Sequence, residues 1–291
     1  MSKRLVSVTL FLVTVVPSQT PQQPTWSLLT PTASPPGRYN FAMAHDPVRA
    51  RTVMFGGHPG PSNDAWEFDG VTWAQRTPTI VPPARCCHTM AYVPAYANIV
   101  LFGGSTSSND VDSLDDTWQW DGATWTQLAP STSPSARMAQ AMATDWLAGQ
   151  VVLFGGRDTQ SQHQGDTWTW NGTTWTLITS SGPPPRCCHS MAQDIASGRI
   201  VMFGGWAGVD QGDTWEFDGT SWQQAIPTGS APSPRWGHRI AYDPVNGRLV
   251  LRGGFNGGSL TGAETWQWNG RQWTLLTLTA LQTYNHELAF D

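Results

Sequence analysis

An all-β fold built from repeated four-stranded antiparallel units is what this chain predicts, and three recurring markers predict it. The first is a double glycine closing an apolar run, at Gly56-Gly57, Gly103-Gly104, Gly155-Gly156, Gly204-Gly205 and Gly253-Gly254. The second is Asp/Asn-Gly-x-x-Trp, ending at Trp73, Trp125, Trp175, Trp222 and Trp273. The third is an arginine three residues ahead of a histidine or its substitute, at Arg38, Arg85, Arg137, Arg186 and Arg235. All three keep phase through five copies of about 50 residues, and a period of that size marks the blades of a β-propeller. Charged residues make up only 13% of the chain, while 29 glycines and 22 prolines suit many short strands joined by tight turns.

Within a unit, the first strand aligns as FAMAHD (41–46), HTMAYV (88–93), QAMATD (140–145), HSMAQD (189–194), HRIAYD (238–243) and HELAFD (286–291). Its third place is apolar (Met43, Met90, Met142, Met191, Ile240, Leu288) and its fourth is alanine in every copy. Successive strand residues point to opposite faces, so the large residue packs one way and the methyl the other. The small residue suits a place where blades converge on the axis, which makes this the innermost strand. The second strand (RTVMFGG, NIVLFGG, QVVLFGG, RIVMFGG, RLVLRGG) is an unbroken apolar run, the pattern of a strand buried on both faces. Arg252 stands where the other copies have phenylalanine; its stem is expected to pack with its head in solvent, or else to touch a ligand. The third and fourth strands form a hairpin around Asp-Gly or Asn-Gly, read as a two-residue turn with both central residues at positive φ. Tryptophans on either side of it are read as inter-blade core, with a sugar-stacking surface as the other reading.

These residues resemble the kelch repeat family in the double glycine, the following aromatic and the spaced tryptophan, over roughly residues 26–291. The family's usual tyrosine before the Asp-Gly turn is here Phe68, Trp120, Trp170, Phe217 and Trp268. The resemblance implies a propeller of four-stranded blades and leaves activity open, since propellers host both enzymes and binding platforms. Five complete units are flanked by a lone fourth-strand-like segment, TWSLLTP (25–31), and a lone first strand, YNHELAFD (284–291). The ring is therefore five-bladed with additional strands, or a truncated six-bladed one.

Lys3 and Arg4 precede an apolar run from Leu5 to Val16, the anatomy of a signal peptide and too short to span a membrane comfortably. Residues 1–20 are read as that signal and 21–291 as a single propeller domain, which places the protein outside the cytoplasm, secreted or periplasmic. With a net charge of −5 and Lys3 the one lysine, no basic patch invites nucleic acid.

Connections alternate between the two ends of an antiparallel blade, so the loops before the first strand and after the second share one face. The latter differ in every copy: HPGPSN (58–63), STSSNDVDSLD (105–115), RDTQSQHQG (157–165), WAGVDQG (206–212) and FNGGSLTGA (255–263). Variable loops on a regular scaffold are where binding usually lives. The expected working surface therefore includes Trp206, Asp210, Arg252, Phe255 and Asn256, with the ring of Arg38, Arg85, Arg137, Arg186 and Arg235 beneath it. That ring either bonds carbonyls and carboxylates between blades or presents guanidinium groups to an anionic ligand. All four cysteines lie in two RCCH segments, and Cys87, His88, Cys188 and His189 are the candidate ligands for Cu or Zn. Adjacent strand residues face opposite ways, so one thiol of each pair is expected to point inward. Asp110, Asp112, Asp115 and Asp116 offer a calcium reading or a solvated loop. No Gly-x-Ser-x-Gly, HExxH or phosphate-cradling glycine loop occurs. The expectation is a secreted, non-catalytic platform for a protein or glycan, with no cofactor. The alternative is a metal-dependent carbohydrate oxidoreductase of galactose-oxidase-like type.

Overall fold

The computed structural model describes residues 11–12, 27–107, 112–179, 181–261, 264–278 and 287–288. These form five antiparallel four-stranded sheets, each a simple meander in which neighbours in sequence are neighbours in space. Blade 1 comprises Ala42–Asp46, Arg51–Phe55, Ala65–Phe68 and Trp73–Arg76. Blade 2 comprises Thr89–Val93, Asn98–Phe102, Thr117–Trp120 and Trp125–Leu128, and blade 3 Ala141–Asp145, Gln150–Phe154, Thr167–Trp170 and Trp175–Thr179. Blade 4 comprises Ser190–Asp194, Arg199–Trp206, Asp210–Phe217 and Trp222–Ala225, and blade 5 Arg239–Asp243, Arg248–Arg252, Glu264–Trp268 and Trp273–Leu278. The propeller predicted from the repeat is thus present, with the strand order predicted inside each blade.

Its apolar cores lie between blades. Residues 53–55, 99–102, 151–154, 200–203 and 249–251 of the second strands are buried, as their unbroken apolar runs predict. Phe55, Phe102, Phe154 and Phe203 each meet a fourth-strand tryptophan of the following blade, with ring centroids 5.2, 5.2, 5.3 and 5.4 Å apart. The indole N–H groups of Trp175, Trp222 and Trp273 donate to Thr117, Thr167 and Thr214 of the preceding blade. The repeated alanine of the inner strand turns away from the axis. Ala44, Ala91, Ala143 and Ala192 pack with Met90, Met142, Met191 and Ile240 of the next blade, so a small residue faces a large one across each blade boundary.

The hairpin turns differ from the expected geometry. In Asp69-Gly70 and its equivalents only the glycine has positive φ, 85–101°. The Asp or Asn stands just before the turn, and the Asp69 carboxylate accepts the N–H groups of Val71 and Thr72 at 2.9 and 2.8 Å. A side chain that caps two amides removes the need for a second left-handed residue.

Backbone hydrogen bonds belt the blades together around the axis. The residue two places after the repeated arginine is left-handed in each blade: Asn40, Cys87, Ala139, Cys188 and Gly237, with φ between 55° and 66°. Its N–H donates to the carbonyl of its counterpart in the preceding blade, as Cys87 to Asn40 (2.9 Å), Ala139 to Cys87 (2.8 Å), Cys188 to Ala139 (2.8 Å) and Gly237 to Cys188 (3.0 Å). Just outside this belt Gly57, Gly104, Gly156 and Gly205, the second glycines of the first four pairs, each donate to the next blade's arginine carbonyl at 2.9 Å.

Of the flanking segments, Phe11–Leu12 pairs with Ser27–Leu28, Leu29 packs against the apolar cluster of blade 1, and Glu287 reaches Arg239 of blade 5. The remainder of residues 1–20 and of the strand 284–291, His286 included, lies outside the described residues. Among those described, no helix is long and apolar enough to cross a membrane.

Candidate functional site

The inner strands of all five blades enclose a cavity of about 650 Å³ on the propeller axis, and the variable loops border its mouth. The five arginines expected beneath that face are not part of its wall. The side chains of Arg85, Arg137, Arg186 and Arg235 are 0% exposed. Each of the five is held by the acidic residue that opens the third strand of its own blade: Asp64, Asp116, Asp166, Asp213 and Glu264. In blade 4, Arg186 gives two hydrogen bonds to Asp213 (2.5 and 2.9 Å), a third to the Gly204 carbonyl (3.0 Å) and a fourth to the Pro184 carbonyl (3.0 Å). Trp215 donates to the same carboxylate at 2.7 Å. Carboxylates therefore pair with the arginines within blades, while the arginine carbonyls accept from the preceding blade. With at least four of its five N–H donors given to partners inside the fold, each guanidinium is committed to its own blade and not to an external anion.

Burial alone would raise the Asp64 carboxyl, but hydrogen bonds from Arg38, Ser62 and Trp66, with the Arg38 charge, outweigh it and hold the group at about 2. Asp116, Asp166 and Asp213 are lowered by the same balance of burial against arginine contacts. A carboxyl whose folded pKa lies below its unfolded value stabilises the fold above the unfolded pKa, and that stability is lost as pH falls through the folded one. The urea midpoint is accordingly expected to fall in two stages: from about pH 6.5, where the unfolded chain protonates histidines that burial keeps neutral in the fold, and further between about pH 4 and 2, where these carboxylates protonate. A midpoint with no further fall between about pH 4 and 2.5 would show these pairs to be unimportant to the fold.

Arg252 is buried, not solvated at its head. It bonds Thr265 at 3.0 Å, and loss of hydration brings its pKa down to about 10. Asp210 accepts the Gly257 N–H at 2.7 Å, tying the 206–212 loop to the 255–263 loop. Phe255 packs at a tilt against Trp236 (5.3 Å between ring centroids), and Asn256 pairs with Ser259 in a short hairpin of the same loop. Of the surface residues expected from the loops, Trp206 both lines the cavity and remains exposed.

Cys87, His88, Cys188 and His189, the candidate metal ligands of the sequence, also line the wall, while the other residues of its mouth were not singled out. Arg157, Ser161 and His163 come from the blade 3 loop and Trp236 from the segment before blade 5. Deeper in, one register position of the inner strand reads Ala42, Thr89, Ala141, Ser190, Arg239 and Glu287. Arg239 and Glu287 form an ion pair at 2.8 Å within the wall. Burial raises the Glu287 carboxyl against the pull of Arg239, and burial followed by the Arg157 charge lowers the His163 imidazole. The mouth thus offers guanidinium, imidazole and indole groups around one opening, above the Arg239–Glu287 pair.

His88 and His189 have packing roles. Their rings lie edge-on to Phe55 and Phe154 of the preceding blade (5.6 and 5.4 Å), and burial lowers both imidazoles. Gln140, in the same slot, donates to the Phe102 carbonyl at 2.9 Å. The vicinal thiols do not face opposite ways as a strand would require. Cys86 and Cys87 have sulfurs 3.3 Å apart, and Cys187 and Cys188 3.0 Å, because the second cysteine of each pair is left-handed. None of the four cysteines is joined in a disulfide, and a hydrogen bond with Cys188 together with burial pushes the Cys187 thiol up. Asp112 is absorbed in its own loop, accepting from Ser105, Thr106 and Ser107, and Asp116 is taken by Arg85, while Asp110 lies outside the described residues.

No curated protein matches this chain. Residues 72–254 match the family model of the KLHDC2/KLHL20/DRC7 Kelch-repeats domain, a span that exceeds half of the 291 residues. With the five meander blades and the double-glycine locks between them, that match establishes the chain as a member of the kelch-repeat propeller family.

Proposed function

We propose that this propeller is a non-catalytic binding module that takes a segment of a partner protein into the axial cavity from the loop-rich face. One observation carries the reading: a cavity of about 650 Å³ is walled by every blade and rimmed by Trp206, Trp236, Arg157 and His163. That volume lies in the range of ligand pockets, which combine apolar walls with a few convergent polar groups. Kelch propellers commonly serve as protein-interaction scaffolds, which agrees with it. Indoles and arginines at the centre of an interface are the residue types that dominate binding energy. A glycan is the second reading, favoured by the same two indoles, whose faces suit stacking on a sugar ring. The basic start and apolar run of residues 1–20 support action outside the cytoplasm.

The test is selection of ligands from a displayed random-peptide library and a glycan array on the intact protein. Ligands of the cavity are expected to lose about 10-fold or more in affinity for Trp206→Ala. They should bind Trp146→Ala normally, since that exposed indole sits in the turn between the first and second strands, at the other end of blade 3. Ligands that bind Trp206→Ala and Arg157→Glu as well as wild type would sink the proposal.

A further inference from the structure

We propose that His58, Cys86 and Cys87 form a site for one divalent zinc-type cation at the junction of blades 1 and 2, separate from the binding role of the cavity. The imidazole and the two thiols bring their ligand atoms within 4.8 Å of one another. Three backbone segments set this geometry in advance. His58 is pinned to Tyr39 by two hydrogen bonds (3.1 and 2.8 Å), and its ring stacks on Tyr39 at 5.1 Å. Cys86 exchanges two hydrogen bonds of 2.9 Å with Ser105, and Cys87 donates to Asn40 at 2.9 Å. The left-handed backbone of Cys87, φ 59°, turns two consecutive thiols to one side. Two Zn–S bonds of about 2.3 Å at a tetrahedral angle hold sulfurs about 3.8 Å apart, so the observed pair needs to open by only about 0.5 Å.

Ligand softness and charge select the ion. Thiolate and imidazole donors suit zinc over calcium or magnesium. Binding converts two thiols to thiolates with release of two protons, and two thiolates with one divalent cation leave the buried set electrically neutral. Cys86 and His58 are buried, while Cys87 is partly exposed at the cavity wall, so three protein ligands leave the fourth position facing the opening.

The second cysteine pair is an internal control. Cys187 and Cys188 repeat the geometry, with sulfurs 3.0 Å apart and φ 62° at Cys188. The residue following the preceding blade's double glycine, however, is Arg157 in place of His58, and its charge acts on Cys187. A guanidinium supplies no lone pair and repels a cation.

The experiment is a Co(II) titration, followed by Zn(II) displacement, of the full chain with all four thiols first shown to be reduced. One equivalent of Co(II) with thiolate-to-metal absorption is expected, displaced by Zn(II). It should vanish in Cys87→Ser, weaken about 10-fold or more in His58→Ala, and persist in the Cys187→Ser/Cys188→Ser double variant. Near-ultraviolet circular dichroism confirms that each variant is folded, and His58→Ala tests the site with both thiols in place. No thiolate absorption in the reduced wild type, absorption that survives Cys87→Ser, or absorption lost only with Cys187 and Cys188 would overturn the assignment.

Discussion

Asp213→Ala is expected to lower the unfolding free energy by about 3–5 kcal/mol, among the largest effects of any single substitution in blade 4. The carboxylate takes two hydrogen bonds from Arg186 and one from Trp215. Its loss leaves a fully buried guanidinium with the Gly204 and Pro184 carbonyls alone. Carbonyl dipoles do not neutralise a buried charge, and the cost comes from that uncompensated charge more than from the lost attraction. The double variant Arg186→Met/Asp213→Ala removes the charge as well and is expected to be more stable than Asp213→Ala alone. Urea unfolding of the wild type, both single variants and the double variant closes the cycle. Additive losses would mean that Arg186 and Asp213 act independently, against the geometry. Charge reversal of Arg186 therefore probes the fold and not a ligand.

Gly204→Ala is expected to cost about 3 kcal/mol or more, and Gly208→Ala about 1–2 kcal/mol. Both glycines have positive φ, 63° and 85°, so both substitutions force an L-residue into the left-handed region. Only Gly204 is also enclosed: an added Cβ would sit 2.5 Å from the Arg235 carbonyl oxygen and 3.0 Å from the His238 ring, whereas at Gly208 nothing lies within 4 Å. The Arg235 carbonyl cannot retreat, because it also accepts the Gly205 N–H at 2.9 Å. The difference between the two losses measures the steric lock between blades 4 and 5. Equal losses in equilibrium unfolding would reduce the double glycine to a matter of backbone conformation alone.

Those two glycines also show where sequence reasoning reached and where it stopped. The recurrence of Gly-Gly, of Arg-x-x-His and of Asp-Thr-Trp was plain in the chain, and it located every strand of the five blades. It did so because strand alternation, turn chemistry and two-sided burial are local properties, repeated in each copy. What the markers do to one another was not local. The glycines of one blade meet the arginine and histidine of the next, and that arginine grips an acid 26–31 residues further on within its own blade. Of the two readings of the arginines, bonds to carbonyls and carboxylates and a ligand ring, the first named the partner types but set the carboxylates between blades, since nothing in the spacing says which way a side chain turns.

The candidate site divides in the same way. Trp206 was legible as a variable-loop aromatic. Arg239 and Glu287 carried a faint signal, two charges at an inner-strand register that otherwise holds Ala42, Thr89, Ala141 and Ser190. His58 carried none, because it reaches Cys86 and Cys87 only when blade 1 is stacked on blade 2. The vicinal thiols were read as opposed because extended backbone opposes neighbours; the left-handed residue that reverses them is imposed by the inter-blade belt. By itself the sequence determined the blade, its strands and the face on which loops vary. The packing of blade against blade decided which arginines are spent inside, which indoles remain open at the mouth and which donors meet, because those contacts join residues that no local pattern relates.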